Sequence, residues 1–294
     1  MKENSEQLID AILQSYEIHD MTVRVEADDL VNKEILIQVM EEIRRILFPG
    51  FFDGNRVRGE YLKYLVGERV EFIQYNLRKQ VAKVAGPSKG CGQCPKSAAS
   101  KEADQIVYTF LDRIPKIREY LYTDIQAAYE GDPAAYNTDE IIFSYPGVYA
   151  ITVYRIAHEL LLLGVPMIPR IMTEYAHSAT GIDIHPAAEI GQYFFIDHGT
   201  GIVIGETTKI GDHVKIYQGV TLGALSTRRG QMLKGVKRHP TIGNNVTIYS
   251  NTSVLGGDTV IGDDVTIGGN AFIVDSIEPG TKVNVKNPEL QFIQ

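Results

Sequence analysis

Between residues 184 and 202 an isoleucine returns at every sixth position: Ile184, Ile190, Ile196 and Ile202. That spacing matches neither the 3.6-residue period of a helix nor the alternation of a single strand. It fits a coil of short parallel strands. After Ile202 the phase slips by two and resumes as Ile204, Ile210, Ile216 and Leu222. It returns as Ile242, Ile248 and Val254, slips by one near Gly257-Asp258, and continues as Ile261, Ile267 and Ile273. Hexapeptide repeats of this kind build parallel β-helices, in which each apolar residue points into a narrow core. Three hexads close one triangular coil of about 18 residues, so the repeat supplies about four to five coils. Gly205, Gly211, Gly243, Gly262 and Gly268 directly follow inward residues. Glycine there suits corners with unusual backbone angles. A prism with flat faces and strand edges needs cover, so a homotrimer, or a dimer of trimers, is expected.

The first 180 residues obey a different rule. Leu30, Val31, Ile35, Leu36, Val39, Met40, Ile43 and Leu47 fall at spacings that build an amphipathic helix, which Pro49-Gly50 ends. Helical periodicity recurs over residues 59–84, 102–130 and 147–163, divided by Gly86-Pro87, Gly131-Asp132-Pro133 and Pro146-Gly147. A short helix over 166–180 then leads into the first coil. The fold class expected is α+β: an all-helical domain over 1–180 and a parallel β-helix over 181–275. A loop at 224–237 interrupts the repeat, and 276–294 forms a tail.

A net charge of −8 disfavours nucleic acid or an anionic membrane surface as the main partner. Met1 to Asp20 does not read as a signal peptide, and the apolar stretch Leu160–Ile168 is broken by Gly164 and Pro166. It falls far short of the ~20 residues that span a bilayer. A cytoplasmic protein without a membrane segment is expected. The two cysteines, Cys91 and Cys94, form a single C-x-x-C pair, which is half a zinc site, a redox pair or simply two loop thiols. With no second pair beside them, no metal is expected.

Acids and imidazoles are threaded through the repeat. His198 is followed by Gly199, Thr200 and Gly201, which leaves room beside its ring for a substrate. Asp183, fifteen residues earlier, is a candidate to hold that ring. A carboxylate bonded to one imidazole nitrogen leaves the other free to accept a proton, which is a general-base arrangement. By spacing alone a lone histidine such as His198 is more often a surface or capping residue of a corner than a catalytic one. His185, before Pro186, reads as a turn former; Asp132 and Asp197 read as a helix-end cap and a turn residue. Arg238 and His239 close the interrupting loop, where rigid scaffolds often carry sites.

Four runs carry a more specific signal: Asp183-Ile-His-Pro-Ala-Ala-Glu-Ile-Gly191, Ile196-Asp-His-Gly-Thr-Gly-Ile-Val-Ile-Gly-Glu206, Val220-Thr-Leu-Gly223 and Arg238-His-Pro240. Together with Asp124-Ile-Gln-Ala127, Asp132-Pro-Ala134 and Tyr154-Arg-Ile-Ala-His158, this stretch resembles the bacterial serine O-acetyltransferases from about residue 124 to 274. The resemblance implies a left-handed β-helix and acetyl-CoA as acyl donor to L-serine. It implies His198 as general base oriented by Asp183, Asp132 and Asp197 for the serine amino group, and Arg238 and His239 for its carboxylate. It further implies feedback inhibition by L-cysteine, with Gly223 and Gly268 as points of close CoA approach. Physical need agrees, since a serine hydroxyl is a weak nucleophile without a base and a zwitterion wants opposite charges at its two ends.

Three features depart from that pattern. Residues 224–237 form a longer segment than usual, carrying Arg228, Arg229, Lys234 and Lys237, either a solvated loop or a reach toward CoA phosphates. The Gly-x-Pro-Ala segment after the last coil is missing. The chain ends Phe292-Ile293-Gln294, whereas relatives that bind O-acetylserine sulfhydrylase end in isoleucine, so Gln294 speaks against that partner. Three other readings compete: acetylation of a sugar on the same scaffold, against which Asp132, Arg238 and His239 argue; a carbonic anhydrase, which needs three converging histidines where only His198 and His213 come close; and a non-catalytic scaffold.

Overall fold

The computed structural model describes residues 2–18, 30–54, 59–84 and 96–286. The Cys91–Cys94 loop and the ending at Gln294 lie outside these residues. Eight helices, fourteen short strands and two 3-10 turns are described. The helices are α1 (Lys2–Ile18), α2 (Lys33–Leu47), α3 (Leu62–Val84), α4 (Lys96–Asp112), α5 (Ile114–Gly131), α6 (Thr138–Ser144), α7 (Pro146–Leu162) and α8 (Ile168–Thr180). Their starts and stops follow local chemistry. Asn32 caps α2 by accepting the Ile35 N–H at 2.9 Å, and α2 buries Leu36, Val39, Met40, Ile43, Ile46 and Leu47. The single helix expected over 102–130 is two, because Pro115 has no N–H to continue the ladder and instead occupies the first turn of α5. Gly181, at φ +71°, closes α8 in the left-handed conformation that glycine adopts without strain. The helix α7 is buried nearly all round, with Val148, Ile151, Val153, Tyr154, Ile156 and Leu160 in the core.

Fourteen two- and three-residue strands follow, wound into three parallel sheets. Sheet A stacks β1 (Asp183–Ile184), β4 (Val203–Ile204), β7 (Thr221–Gly223), β10 (Ser253–Leu255) and β13 (Phe272–Ile273). Sheet B stacks β2 (Glu189–Ile190), β5 (Lys209–Ile210), β8 (Thr241–Ile242) and β11 (Val260–Ile261). Sheet C stacks β3 (Phe195–Asp197), β6 (Lys215–Tyr217), β9 (Thr247–Ile248), β12 (Thr266–Ile267) and β14 (Lys282–Val283). Each coil visits A, B and C in turn, and the sixth-position residues align: Ile184 pairs with Ile204, Ile190 with Ile210, Ile196 with Ile216. Almost all of them are buried, so the period of six is the period of the core. The ladder runs past residue 275, since β14 pairs with β12.

The glycines after the inward residues have a different cause from the one expected. Gly205, Gly211, Gly243, Gly262 and Gly268 do not take left-handed angles. A side chain on them would strike the next coil: a Cβ on Gly211 would lie 2.8 Å from the Gly243 carbonyl oxygen. The left-handed corners fall mainly to other residues, among them Tyr193, His213, Asn245, Asn251 and Asn270. Tyr193 and His213 stack face to face with centroids 4.2 Å apart, as neighbouring coils require.

A buried cluster fixes the first coil to the helices. Arg155 of α7 donates to both oxygens of Asp124 on α5 at 2.8 and 2.9 Å, and to the carbonyls of Ile190 and Gly191 at 3.0 and 2.7 Å. Asp124 also accepts the Phe194 N–H at 3.0 Å, and the Tyr154 hydroxyl donates to the Ala188 carbonyl at 2.5 Å. Among the described residues no helix is long and apolar enough to cross a membrane.

Candidate active site

The first group of polar side chains gathers where the chain turns from sheet C into sheet A. In the second coil that turn takes three residues, 218–220, but in the first it takes five, 198–202. The extra pair is the phase slip of two in the repeat, and it pushes His198 outward at φ +60°. His198 is 73% exposed, so its ring is open to a substrate or a second chain. Its Nε2 lies 3.8 Å from Asp197 Oδ1.

Asp132 reaches the same corner from the end of α5. Its carboxylate accepts the Tyr145 hydroxyl at 2.6 Å and the Ala134 N–H at 2.8 Å. These two donors, Tyr145 foremost, hold Asp132 below the usual carboxylate range, while the same bond raises Tyr145 to about 12. Lys215 on β6 lies beneath: its Nζ is 3.2 Å from Asp197 Oδ2 and donates to the Gly131 carbonyl at 2.6 Å. Burial works against its charge, but Tyr217 and Asp197 together hold the ammonium above its ordinary value.

The second group lies around the turn from sheet A into sheet B. Arg238 pairs with Glu206 through Nη2 and donates from Nη1 to the Leu233 carbonyl at 3.2 Å. Burial pushes Glu206 up, but Arg238 outweighs it and leaves the carboxylate below its ordinary value. His239 is buried, and its Nδ1 accepts the Thr207 N–H at 3.0 Å. Because Nδ1 is an acceptor, the neutral ring carries its proton on Nε2. Burial, reinforced by Arg238, lowers His239 to about 4. His185 accepts the Ala187 N–H at 3.1 Å and shapes its turn, within electrostatic reach of Asp183, Glu206 and Arg238.

The structure therefore divides the expected site residues. Asp132, Asp197 and His198 come together; Arg238 and His239 come together elsewhere. The expectation that Asp183 holds the His198 ring is not met within one chain, because the Asp183 carboxylate turns to Arg170 of α8 at 3.4 Å. Coil register explains the difference: Asp183 stacks on Val203 in sheet A, whereas His198 stands on the corner before that strand. Gly223 and Gly268 are approached by their own chain, with Leu255 Cδ2 2.9 Å from a Cβ on the first and the Val283 carbonyl 3.1 Å from one on the second. Close coil stacking accounts for both. In the 224–237 segment, Lys237, exposed like its neighbours, donates to the carbonyls of Thr207, His239 and Pro240. Arg228, Arg229 and Lys234 stay exposed beside a groove of about 320 Å³ bordered by Glu206 and Arg238.

Glu174, His177 and Asp183 bring possible ligand atoms within 4.8 Å of one another, but the Arg170 guanidinium pairs with both carboxylates. A cation is thus already supplied there by the chain. His198 and His213 occupy different corners of one chain. Tyr145, Glu206, Arg170 and Lys215 escaped sequence reasoning, since each sits at an ordinary polar position of its element. The one signal within reach was the slip of two, which marks the enlarged corner.

A capped parallel β-solenoid with an imidazole on an enlarged corner beside two carboxylates defines a hexapeptide-repeat acyltransferase. No family model matches the sequence. The plasmid-borne serine acetyltransferase of Synechococcus elongatus is 43% identical over 223 residues, covering 74% of this chain and 70% of that one. The chain belongs to the serine acetyltransferase family. The Mycobacterium tuberculosis serine acetyltransferase is 51% identical over 123 residues, 42% of this chain and 51% of that one. Among solved structures, Entamoeba histolytica serine acetyltransferase isoform 3 in complex with cysteine matches with a TM-score of 0.74 and 34% identity, covering all (100%) of this chain and 96% of the other. The Neisseria gonorrhoeae enzyme in complex with serine matches at 0.56 and 27% identity, over 85% of this chain and 95% of that one.

Proposed function

We propose that this chain transfers acetyl from acetyl-CoA to the hydroxyl of L-serine, giving O-acetyl-L-serine and CoA, with His198 as general base. The observation that carries this reading is the division of the polar groups between two corners of the prism. One corner offers a base and two carboxylates, which suits a hydroxyl and an ammonium group. The other offers Arg238 and the Nε2–H of neutral His239, which suits a carboxylate. A side of the prism stands between them, so one serine spans both only where the His198 corner of one copy meets the Arg238 corner of a second. A homotrimer with three such junctions follows, and Asp183 of the neighbouring copy would then orient His198. In the reaction His198 takes the hydroxyl proton as serine oxygen attacks the thioester carbonyl. The C–S bond then breaks, and the proton passes from the imidazolium to the departing CoA sulfur. The cysteine complex of the Entamoeba relative supports L-cysteine as an inhibitor at the same groups.

The test is release of CoA thiol from acetyl-CoA with L-serine, with amino-sugar acceptors, and with L-serine plus L-cysteine. Serine-dependent release that cysteine suppresses is expected. Release with sugars alone would overturn the acceptor assignment.

A further inference from the structure

Lys215 stands inside the His198 corner and has no part in the reaction outlined above. Its ammonium joins two pieces of the site that come from different halves of the chain. On one side it binds the carbonyl of Gly131, the residue before Asp132, at 2.6 Å. On the other it meets the carboxylate of Asp197, the residue before His198, at 3.2 Å. Its Nζ lies 4.7 Å from the ring centroids of both Phe195 and Tyr217. The end of α5 is seated on the same group, since a Cβ on Gly131 would fall 2.8 Å from the Phe195 ring. The Lys215 side chain is only 21% exposed, so its position is held by packing as well as by charge.

We infer that Lys215 is a positioning residue for acetyl transfer, fixing Asp197 beside Asp132 and balancing part of its charge so that both carboxylates stay in place for the acceptor's ammonium group while the His198 ring stays free to accept a proton. The inference rests on His198 as the base. Asp197 presents Oδ2 to Lys215 and Oδ1 to His198, so a single carboxylate sits between an ammonium and the imidazole. Without the ammonium, an unbalanced anion 3.8 Å from the ring would favour the imidazolium form, which cannot accept a proton. The other charged or titratable groups facing the corner are Asp132 after α5, Glu140 on α6, Tyr145 before α7 and Tyr217 on β6.

The experiment compares the full-length wild type with K215M, K215R and K215M/D197N, reading kcat and KM for serine across pH. Methionine keeps an aliphatic chain over Phe195 and Tyr217 but removes the charge. For K215M, kcat/KM for serine falls about 10- to 100-fold and the acidic limb of its pH profile moves up by about half a unit to one unit. Adding D197N removes the unbalanced anion and returns the limb toward its original position. K215R keeps activity within about threefold of wild type and leaves the limb unmoved. An unshifted limb in K215M, whatever its rate, would overturn the inference and leave Lys215 as a seat for α5. If K215M does not fold, the soluble K215Q is read in the same way. Wild-type turnover of serine and its loss in H198A, in the same assay, test the underlying reading separately.

Discussion

Replacing Arg155 by methionine tests what holds the β-solenoid on its helices. Arg155 is 6% exposed and its partner Asp124 2%, so neither charge has water to fall back on. The substitution removes two bonds to Asp124 and the donors for the Ile190 and Gly191 carbonyls. Asp124 is left with the Phe194 N–H and no cation among these contacts. Breaking a buried pair from one side costs about 3–5 kcal/mol, because the remaining charge is neither solvated nor matched. In a protein of this size the apparent Tm should fall by roughly 10 °C. The assay is thermal unfolding by circular dichroism at one fixed protein concentration, since assembly shifts the apparent midpoint. A sign reversal identifies the mechanism. D124N alone should destabilise by stranding Arg155, yet the same change made in R155M should stabilise, because it removes the stranded anion. The R155M deficit should also shrink as pH falls, since a buried carboxyl without its cation binds a proton more tightly folded than unfolded. Simple addition of the two losses, or a deficit below about 1 kcal/mol, would refute the argument.

H198A should lower kcat by about a hundredfold or more while leaving circular dichroism unchanged, because the ring is exposed and supports no packing. Near-normal turnover would remove His198 from the chemistry. R238A should raise KM for serine by about tenfold with a smaller effect on kcat, since a lost carboxylate contact weakens ground and transition states alike; an unchanged KM would reassign the carboxylate site. His239 sits at about 4 when folded against 6.5 for the free ring. The unfolded chain therefore takes up a proton first as pH drops. Stability should be level above 6.5 on this account and decline between 6.5 and about 4. H239Q should flatten that decline in urea-midpoint measurements at a series of pH values.

The core of the prism could be read directly from the chain, because its period is a property of spacing. One inward residue in six is needed whatever else the coil carries, and Ile184, Ile204 and Leu222 fill that position in successive coils. The break at α5 was missed although Pro115 stood in plain view, since periodicity continues across a turn that the backbone cannot. The repeat glycines were rightly singled out, but for a conformational reason when the cause is contact with the next coil. Contact between coils is invisible in a one-dimensional pattern.

The site divides along the same line. His198, Asp132, Asp197, Arg238 and His239 were marked by the runs that resemble the family, and residue type alone determined their chemistry as a base, acids and carboxylate binders. Only the tertiary structure decided which of them meet. Asp183 and His198 are fifteen residues apart in the chain but take different partners, because a coil turns its residues onto separate faces. Lys215 joins Asp197 because β3 and β6 stack, and it reaches Gly131 because α5 ends against that sheet. Sequence period fixes which residues face inward, since that depends on local spacing. Which outward charges find each other depends on how coils stack and where a helix ends, and those distances arise only when the chain is folded.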